Sequence, residues 1–251
     1  MSNVSLKMRV KRKLPPYLWD LMRYWQLAII RRGRFAHNQL DKKLEKYLDY
    51  HNGFFVELGA NDGFTQSNTL YFERKKGWKG VLVEPSPNLY LTCIHYRKNK
   101  YNKIFCNACV PFDFPHKYVD IEYANLMSVS DNLQLDIEDK KAYCHDGQAN
   151  LRPNEAIRFG ALARPLSSIL DEANAPHVID LLSLDVEGAE LDVLKGVDFD
   201  KYRFKYMLIE SRNLERLQRF LETKGYEYVE PFSEMDYLFR AAAAKKNDKP
   251  I

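Results

Sequence analysis

The sequence predicts an α/β protein with one mostly parallel sheet of about seven strands and helices packed on both faces. Three observations support this prediction. Apolar runs of roughly six residues alternate with helical patterns of roughly ten residues along most of the chain. These runs lack the polar alternation of half-exposed strands, as expected for a parallel sheet buried on both sides. The chain has 251 residues, 45% of them hydrophobic, which is enough for one large domain.

The first half of the chain supplies three of the strands and three of the helices. An amphipathic helix is predicted where leucine and tyrosine recur at three- and four-residue spacing between charged residues. Short apolar runs are predicted as strands, and glycines mark where helical patterns end. In chain order, these elements are a helix over 39–50, a strand over 53–58, a helix over 66–76, a strand over 80–85, a helix over 88–98 and a strand over 103–110.

The alternation stops between residues 111 and 165 and then resumes. This stretch is acidic over 131–139 and rich in turn-forming residues over 145–154. About fifty residues without a regular period inside a compact domain indicate an insertion of short elements, a lid or a binding loop. After it, we predict a helix over 166–173, a strand over 178–186, a helix over 189–195, a strand over 206–210, a helix over 214–224, and strands over 226–229 and 236–240.

Charge is distributed unevenly along the chain, whose net charge is +4. Residues 1–34 contain nine Lys/Arg and one Asp, residues 241–251 add +2, and the body between them carries −6. A protein that binds nucleic acid through a generally basic surface is therefore excluded. We predict a basic N-terminal extension over 1–38, a main domain over 39–240 that contains the 111–165 insertion, and a flexible tail over 241–251.

The N-terminal extension combines basic clusters with an apolar stripe. The stripe recurs at three- and four-residue spacing and consists of Leu18, Leu21, Met22, Trp25, Ala28 and Ile29. A basic amphipathic helix of this kind suits an anionic membrane surface or a partner protein. Packing on its own domain or in a dimer interface is the alternative, and oligomerisation stays open.

Cellular location is predicted from what the sequence lacks. No apolar run approaches the roughly 18–20 residues that span a bilayer, and no signal-cleavage site follows the basic region. The four cysteines do not form a disulfide framework, and Cys106 and Cys109 lie in a predicted buried strand without a second metal-binding pair. We expect a cytoplasmic protein, with peripheral contact at the inner membrane face as a further option, and no metal site at these cysteines.

The first candidate site follows the first predicted strand. Glu57, Gly59, Asn61, Asp62 and Gly63 form the turn before the next helix. The glycines permit a tight turn and close approach of a ligand. Asn61 stands where a dinucleotide-binding G-x-G-x-x-G pattern needs its second glycine, which disfavours NAD. The carboxylate at the strand end suits a cationic group of a ligand better than a pyrophosphate.

A second candidate is Glu84, which ends the next strand and precedes Pro85. A carboxylate has two acceptor oxygens, so it can accept hydrogen bonds from both hydroxyls of a ribose. Doubly wound folds bind their ligands at the carboxyl ends of parallel strands. The turn at Glu57 and the carboxylate of Glu84 together therefore predict a nucleoside site.

Two further carboxylates, Asp185 and Glu187, end the fourth predicted strand. Alternate residues of a strand point to the same side, so both are predicted to point the same way. Such a pair is costly unless it meets a cation, a proton or hydroxyl donors. Glu190 is better explained as an exposed acid that opens the following helix near its positive end.

Together these motifs resemble the FkbM family of methyltransferases over about residues 50–240. The matching segments are 57–63, 67–73, 80–85 and, most distinctively, Leu184-Asp185-Val186-Glu187-Gly188-Ala189-Glu190. The resemblance implies a Rossmann-like class I methyltransferase fold with a seven-stranded sheet that binds S-adenosylmethionine. It also implies methylation of hydroxyls, often on sugars or polyketides. The 111–165 insertion, where the acceptor should bind, carries no recognisable motif.

The resemblance assigns roles to the candidate residues. Glu57 and the backbone from Gly59 to Gly63 would hold the methionine amine and carboxylate, and Glu84 would hold the ribose. Packing explains Asn107 and Ala108 about as well as a position beside adenine does. The predicted cofactor-binding residues are Glu57, Gly59, Asn61, Asp62, Gly63, Glu84, Pro85, Asn107 and Ala108.

The remaining role is that of the base. Either Asp185 or Glu187 would take the hydroxyl proton, and the sequence does not decide between them. A divalent cation shared by the pair is an open option. His116 and His145, in the insertion, are the next candidates for the base.

The sequence thus predicts an S-adenosylmethionine-dependent O-methyltransferase that acts on a hydroxyl of a sugar or glycan, as in polysaccharide synthesis. The acceptor class follows from the resemblance alone. One alternative is a methyltransferase for a non-sugar small metabolite. The other is a non-catalytic binding or scaffold protein that retains the fold.

Overall fold

A computed structural model describes residue 22 and residues 34–97, 99–124, 127–149 and 157–242. Most of the predicted extension over 1–38 and of the tail over 241–251 lies outside the described residues. The described part contains a seven-stranded sheet and a four-stranded sheet. None of its helices has both the length and the apolar character needed to cross a membrane.

Helices and strands follow one another through both halves of the chain. A short 3-10 turn, His37–Gln39, precedes them. In chain order they are α1 (Leu40–Glu45), β1 (Phe54–Leu58), α2 (Leu70–Lys76), β2 (Lys79–Val83), α3 (Pro87–Arg97), β3 (Lys103–Phe105), β4 (Ala108–Cys109), β5 (Tyr118–Glu122), β6 (Val129–Ser130), α4 (Lys140–Gln148), β7 (Arg158–Arg164), α5 (Leu166–Glu172), β8 (Val178–Leu184), α6 (Glu190–Leu194), β9 (Arg203–Glu210), α7 (Leu214–Thr223), β10 (Tyr226–Pro231) and β11 (Asp236–Ala241).

The larger sheet has the strand order β10-β11-β9-β8-β1-β2-β3. Its strands β3, β2, β1, β8 and β9 pair in parallel, whereas β11 is antiparallel to both β9 and β10. The predicted α/β fold with a mostly parallel seven-stranded sheet is confirmed. The strand order reverses between β1 and β8, and the carboxyl ends beside such a reversal are where doubly wound folds bind ligands.

Helices cover both faces of this sheet because each central strand buries side chains on both sides. Phe55 of β1 packs in one hydrophobic cluster, and its neighbours Val56 and Leu58 pack in another. The Phe55 cluster includes side chains of α1, α2 and α3. The other cluster includes side chains of α5, α6 and α7. This double burial is the reason that the strands are continuous apolar runs.

The predicted strand over 103–110 is wrong, because it is two strands in different sheets. β3 ends at Phe105, and β4 then pairs with β7 through Ala108 and Ala163. Between them, the Nδ2 of Asn107 donates to the carbonyl of Leu162 at 3.0 Å. The chain therefore leaves the large sheet at this point and enters the small one.

The described residues of the 111–165 insertion form short elements. Its strands β5, β6 and β7 join β4 in a sheet of order β4-β7-β5-β6. Val119, Ile121 and Ala161 of this sheet pack against Ala108 and Val110. In β7 the exposed residues Arg158, Gly160 and Leu162 alternate with less exposed ones, but Leu162 on the exposed side hides this alternation in the sequence.

Residues 34–38 pack against the main domain. Phe35 and Ala36 are buried, and the N–H of Phe35 donates to Oδ2 of Asp41 at 2.8 Å. Ala36 also forms a parallel β-bridge with Gln66. The predicted boundary after residue 38 therefore falls inside a packed segment and not in a linker.

Candidate active site

One cavity lies at the carboxyl ends of β1, β2 and β8, and the insertion closes its opposite side. The insertion contributes Val119, Ile121, Ser128, Ser130 and Leu133 to the lining of this cavity. Of the predicted site residues, it is lined by Glu57, Gly59, Asn61, Glu84, Pro85, Asn107, Ala108, Asp185 and Glu187. Asp62 and Gly63 are not among its lining residues. The structure therefore brings both predicted carboxylates and most of the predicted binding residues to one place.

The turn after β1 requires its two glycines. Gly59 has a φ of +75°, and a β-carbon there would lie 1.8 Å from the carbonyl oxygen of Asp185. Gly63 also has a φ of +75°, and its β-carbon would lie 2.6 Å from Cγ of Arg97. These positions let the turn lie directly against the end of β8 and against α3. Gly63 thus serves packing and does not face the cavity.

Asp62 also supports the turn and leaves Asn61 as the residue that faces the cavity. Oδ1 of Asp62 accepts the N–H of Phe64 at 2.9 Å. The N–H of Asp62 donates to Oδ1 of Asn61 at 2.7 Å, and the N–H of Asn61 donates to Oε2 of Glu84 at 2.8 Å. Asp62 therefore holds the turn, which differs from the ligand contact that the sequence suggested.

The backbone of this turn also differs from the expectation that it holds a carboxylate. The N–H groups of Gly59 and Ala60 both donate to the carbonyl of Val83, at 3.2 and 3.1 Å. The N–H of Gly63 donates to the carbonyl of Ala60 at 2.8 Å. With Asn61 and Asp62 engaged as described, every N–H from 59 to 63 has a partner within the protein, so none is left for a ligand.

Glu57 is buried, and its carboxylate is engaged by the protein. It accepts from Oγ of Ser67 at 2.9 and 3.0 Å, from Oγ1 of Thr69 at 2.6 Å and from the N–H of Asn68 at 3.0 Å. Nη1 of Arg97 lies 3.2 Å from Oε2. Glu57 therefore organises the segment 67–69, and the expected contact with a ligand ammonium group is replaced by Arg97, which lies 40 residues further along the chain.

Arg97 is fully buried and connects this segment to α2 and α3. Its Nε lies 2.7 Å from Oε2 of Glu73. Its Nη1 donates to the carbonyl of Gly63 at 3.0 Å and to Oγ of Ser67 at 2.9 Å, and its Nη2 donates to Oγ1 of Thr69 at 2.8 Å. Because a buried charge is tolerated only when it is paired and hydrogen-bonded, these contacts form one interdependent network.

Glu84 retains the capacity that the sequence assigned to it. Its Oε2 accepts the N–H of Asn61, and its Oε1 accepts the N–H of Ser86 at 2.9 Å. Each oxygen can accept a second hydrogen bond, so the carboxylate can still receive two hydroxyls of a ligand. Burial raises the pKa of Glu84 to about 7.

Two polar residues of the cavity wall are absent from the sequence assignments. Nδ2 of Asn68 donates to Oγ of Ser183 at 3.0 Å, while its Oδ1 is buried without a hydrogen-bond partner among the described residues. Oγ of Ser130 in β6 is likewise buried without a hydrogen-bond partner among the described residues. Buried polar atoms are normally paired, so these two are positions for ligand contact. Asn68 lies in a segment that resembles the family, whereas Ser130 lies in a region without pattern.

Asp185, Glu187 and Glu210 form a carboxylate cluster where β8 and β9 end. One oxygen of each lies within 4.8 Å of the others. β8 ends at Leu184, and Glu187 has a left-handed φ of 58°, so the two predicted carboxylates converge through a turn and not through strand alternation. Glu210 joins them because β9 lies beside β8 in the sheet.

Burial and mutual repulsion raise the pKa values of this cluster. Burial, followed by the charges of Glu210 and Glu187, raises the pKa of Asp185 well above its usual range. Burial, followed by the charge of Glu210, raises the pKa of Glu187 to about 7. These carboxyls bind protons more tightly in the folded than in the unfolded chain. The stabilising effect of Glu187 is therefore present below about pH 4 and is lost as the pH rises through about 7.

The partners of Asp185 and Glu187 differ. Glu187 accepts a hydrogen bond from the hydroxyl of Tyr143 and lies 3.5 Å from Nη2 of Arg212. The same Nη2 donates to the hydroxyl of Tyr143 at 2.8 Å. Oδ1 of Asp185, in contrast, is buried and has no hydrogen-bond partner within the described ranges. Glu187 is thus held in place, and Asp185 keeps an acceptor atom for a ligand.

Three other titratable residues are separate from this cavity. Glu190 is buried and accepts the N–H groups of Gly188 at 2.9 Å and Val186 at 3.2 Å, so the expectation of an exposed acid is wrong. His116 and His145 are exposed, and neither is among the lining residues. The structure therefore gives no support to either histidine as the base.

A family profile described as "Methyltransferase FkbM domain" matches residues 57–242. No curated protein matched the chain. Among solved structures, the chain is similar to the METTL16 methyltransferase domain, with 10% identity and a TM-score of 0.39 over 80% of this chain and 64% of that chain. It is also similar to the N-terminal domain of human METTL16 in complex with SAH, with 11% identity and a TM-score of 0.40 over 80% of this chain and 66% of that chain. A SAM-dependent methyltransferase from Aquifex aeolicus matches with 10% identity and a TM-score of 0.39 over 91% of this chain and 98% of that chain. The chain thus spans less than two thirds of either METTL16 structure. At these TM-scores the fold assignment rests on this chain's own strand order.

Proposed function

Because this chain belongs to the FkbM family of methyltransferases, we propose that it methylates a hydroxyl of a sugar or glycan, with Asp185 as the general base. The family makes it an S-adenosylmethionine-dependent methyltransferase. The hydroxyl acceptor and the roles of individual residues are the proposed part. The observation that carries them is the buried Oδ1 of Asp185, an acceptor atom in the cavity wall without a partner in the described part of the chain.

The residues of the cavity fit S-adenosylmethionine, although not in every way that the sequence suggested. Oδ1 of Asn68 would accept from the ammonium group in place of Glu57, and Glu84 would accept from the ribose hydroxyls. Asn107 and Ala108 would border adenine. When bound, the cofactor supplies a methyl group on a positively charged sulfur, and the protein aligns the acceptor oxygen with it.

A hydroxyl acceptor favours a base with the properties of Asp185. The hydroxyl becomes more acidic as its oxygen attacks, and a carboxylate with a raised pKa takes the proton effectively near neutral pH. Glu187, which Tyr143 and Arg212 already hold, would keep the neighbouring charge in place. Arg212 lies 3.5 Å from Glu187 and 3.6 Å from Glu210, so its guanidinium supplies positive charge to the cluster.

A labelled-methyl assay tests the acceptor class. Purified protein and S-adenosylmethionine labelled in its methyl group are incubated with extracted glycans, free sugars and a panel of non-sugar hydroxyl metabolites, with and without a chelator. We expect label in a sugar or glycan as an O-methyl ether, unaffected by the chelator. Label confined to non-sugar metabolites would support the first alternative. Loss of transfer with the chelator would assign the carboxylate cluster to a divalent cation.

The pH dependence of the reaction should reveal the carboxylate cluster. A base must be ionised to act, so kcat/KM should rise with pH as Asp185 loses its proton. Because the charge of Glu210 raises the pKa of Asp185, Glu210→Gln should move this rise to lower pH. The measurement is a pair of pH–rate profiles. An unmoved profile in the variant would contradict the assignment of the base to this cluster.

The glycine turn should be essential for binding the cofactor. In Gly59→Ala, the methyl group would meet the carbonyl of Asp185 at a φ that alanine disfavours, so we expect a loss of about 1–3 kcal/mol in the free energy of unfolding. S-adenosylmethionine should also bind more weakly in calorimetry. Gly160→Ala is the matched control, since its β-carbon would meet no atom closer than 3.5 Å. Equal stability and equal affinity for S-adenosylmethionine in Gly59→Ala and Gly160→Ala would contradict this role of Gly59.

A further inference from the structure

We infer that a basic recess beside the catalytic cavity binds the phosphate groups of an anionic lipid surface. The basic recess contains the cationic side chains of Arg34, Lys42, Lys75 and Lys76, together with His37 and His51. Within the described residues, no carboxylate lines it. This composition contrasts with the net charge of −6 over residues 35–240, so an anionic surface would be attracted to the recess and repelled by most of the domain.

Two of these lysines have charges that no carboxylate of the described residues neutralises. Arg34 pairs with Glu45, and Lys76 pairs with Glu45 at 3.2 Å and with Asp49. Lys42 and Lys75 are exposed and form no ion pair with any described residue. An unpaired lysine is a compact point charge that suits a phosphate oxygen. The recess therefore offers at least these two cations to an external anion.

The basic recess is next to the catalytic cavity. Ala36 lines the recess and forms a β-bridge with Gln66, which lines the cavity. His37 lines the recess as well. Burial raises the pKa of Glu210 in the carboxylate cluster, and the charges of Arg212 and His37 oppose that rise. A surface that contacts the recess would consequently lie close to the catalytic carboxylates.

The part of the chain outside the described structure identifies the occupant as a lipid surface and not a single small anion. Residues 1–33 carry eight Lys/Arg and one Asp, and they join the domain at Arg34, on the wall of the recess. Basic residues near a membrane add to the attraction one by one within a Debye length of about 10 Å. The extension and the recess are thus contiguous along the chain and have the same charge preference.

The test uses the full chain and two matched double variants. Lys42→Gln with Lys75→Gln removes two charges from the recess, and Lys46→Gln with Lys79→Gln removes two exposed charges outside it. Co-sedimentation with phosphatidylcholine vesicles, with and without phosphatidylglycerol, measures binding at low salt. We expect the wild type and the control variant to bind vesicles that contain phosphatidylglycerol. The recess variant should bind them about thirtyfold more weakly, from the contribution of each lysine near the surface.

Activity on a free acceptor should be the same in all three proteins, because none of the four lysines lines the cavity. This result would show that lipid binding at the recess is independent of the proposed methyl transfer in the cavity. Equal loss of vesicle binding in both double variants would contradict the inference, since net charge alone would then control binding. Undiminished binding by the recess variant would also contradict it. So would inorganic phosphate displacing the protein from vesicles at an ionic strength at which chloride does not, because the recess would then select the free ion.

Discussion

Replacement of Asp185 by asparagine should lower kcat by about 10²–10⁴-fold while the affinity for S-adenosylmethionine changes little. Asparagine keeps the size of the side chain and an acceptor oxygen, but its amide cannot take the proton of the acceptor hydroxyl. The fold should persist, because asparagine can keep the side-chain hydrogen bond to Glu210, and Oδ1 of Asp185 has no hydrogen-bond partner among the described residues to lose. Initial rates of labelled-methyl transfer give kcat, and calorimetric titration gives the dissociation constant of the cofactor.

Glu187→Gln is the matched control for this prediction. Glu187 is held by Tyr143 and Arg212, so its amide variant should lose less activity than Asp185→Asn. The reverse order of the two effects would make Glu187 the base. If both variants retained wild-type kcat, the proton would have to be taken by a group outside the carboxylate cluster.

Replacement of Arg97 by methionine should lower the free energy of unfolding by about 3–5 kcal/mol. Methionine fills much of the same volume but leaves the carboxylate of Glu57 buried without its cation. It also removes the hydrogen bonds to Ser67 and Thr69. Equilibrium unfolding in urea gives the change. The free energy of unfolding of Arg97→Lys should lie between those of the wild type and Arg97→Met, because lysine keeps the charge but not the several directed donors of the guanidinium.

Arg219→Met is the control for the arginine network. Arg219 forms an exposed pair with Glu215, and such pairs contribute little to stability.

In folded Arg97→Lys, the affinity for S-adenosylmethionine should fall, because residues 61–68 of the cavity wall depend on Arg97. An unfolding midpoint equal to that of the wild type in Arg97→Met would contradict the proposed importance of the network.

The fold could be predicted because its main signal is local. Parallel strands buried on both faces are uninterrupted apolar runs, and each of the seven predicted runs overlaps a strand of the large sheet. The break after Phe105 could not be predicted, since it depends on the bond from Asn107 to Leu162, which is 55 residues away. The strand β7 of the insertion could not be predicted either, because Gly160 and Leu162 lie on its exposed side, so its sequence lacks the polar and apolar alternation that its burial shows.

The candidate site could be predicted in position but less well in the roles of its residues. Glu57 lies where the sequence places it, yet its partner Arg97 comes from a distant helix and occupies the carboxylate. Glu210 could have been found, because it ends a predicted strand in the same way as Glu84. The oxygens of Asn68 and Ser130 that have no partner among the described residues depend on tertiary packing, which no sequence spacing reveals.

The most direct test of the central claim is a calorimetric titration of the wild type and Glu84→Gln with S-adenosylmethionine. The cavity at the ends of β1, β2 and β8 should bind one molecule of cofactor per chain. Glu84→Gln should bind it more weakly, because an amide offers only one oxygen to the two ribose hydroxyls. Absence of binding by the wild type would contradict the account, and equal affinity of the two proteins would contradict the placement of the cofactor beside Glu84.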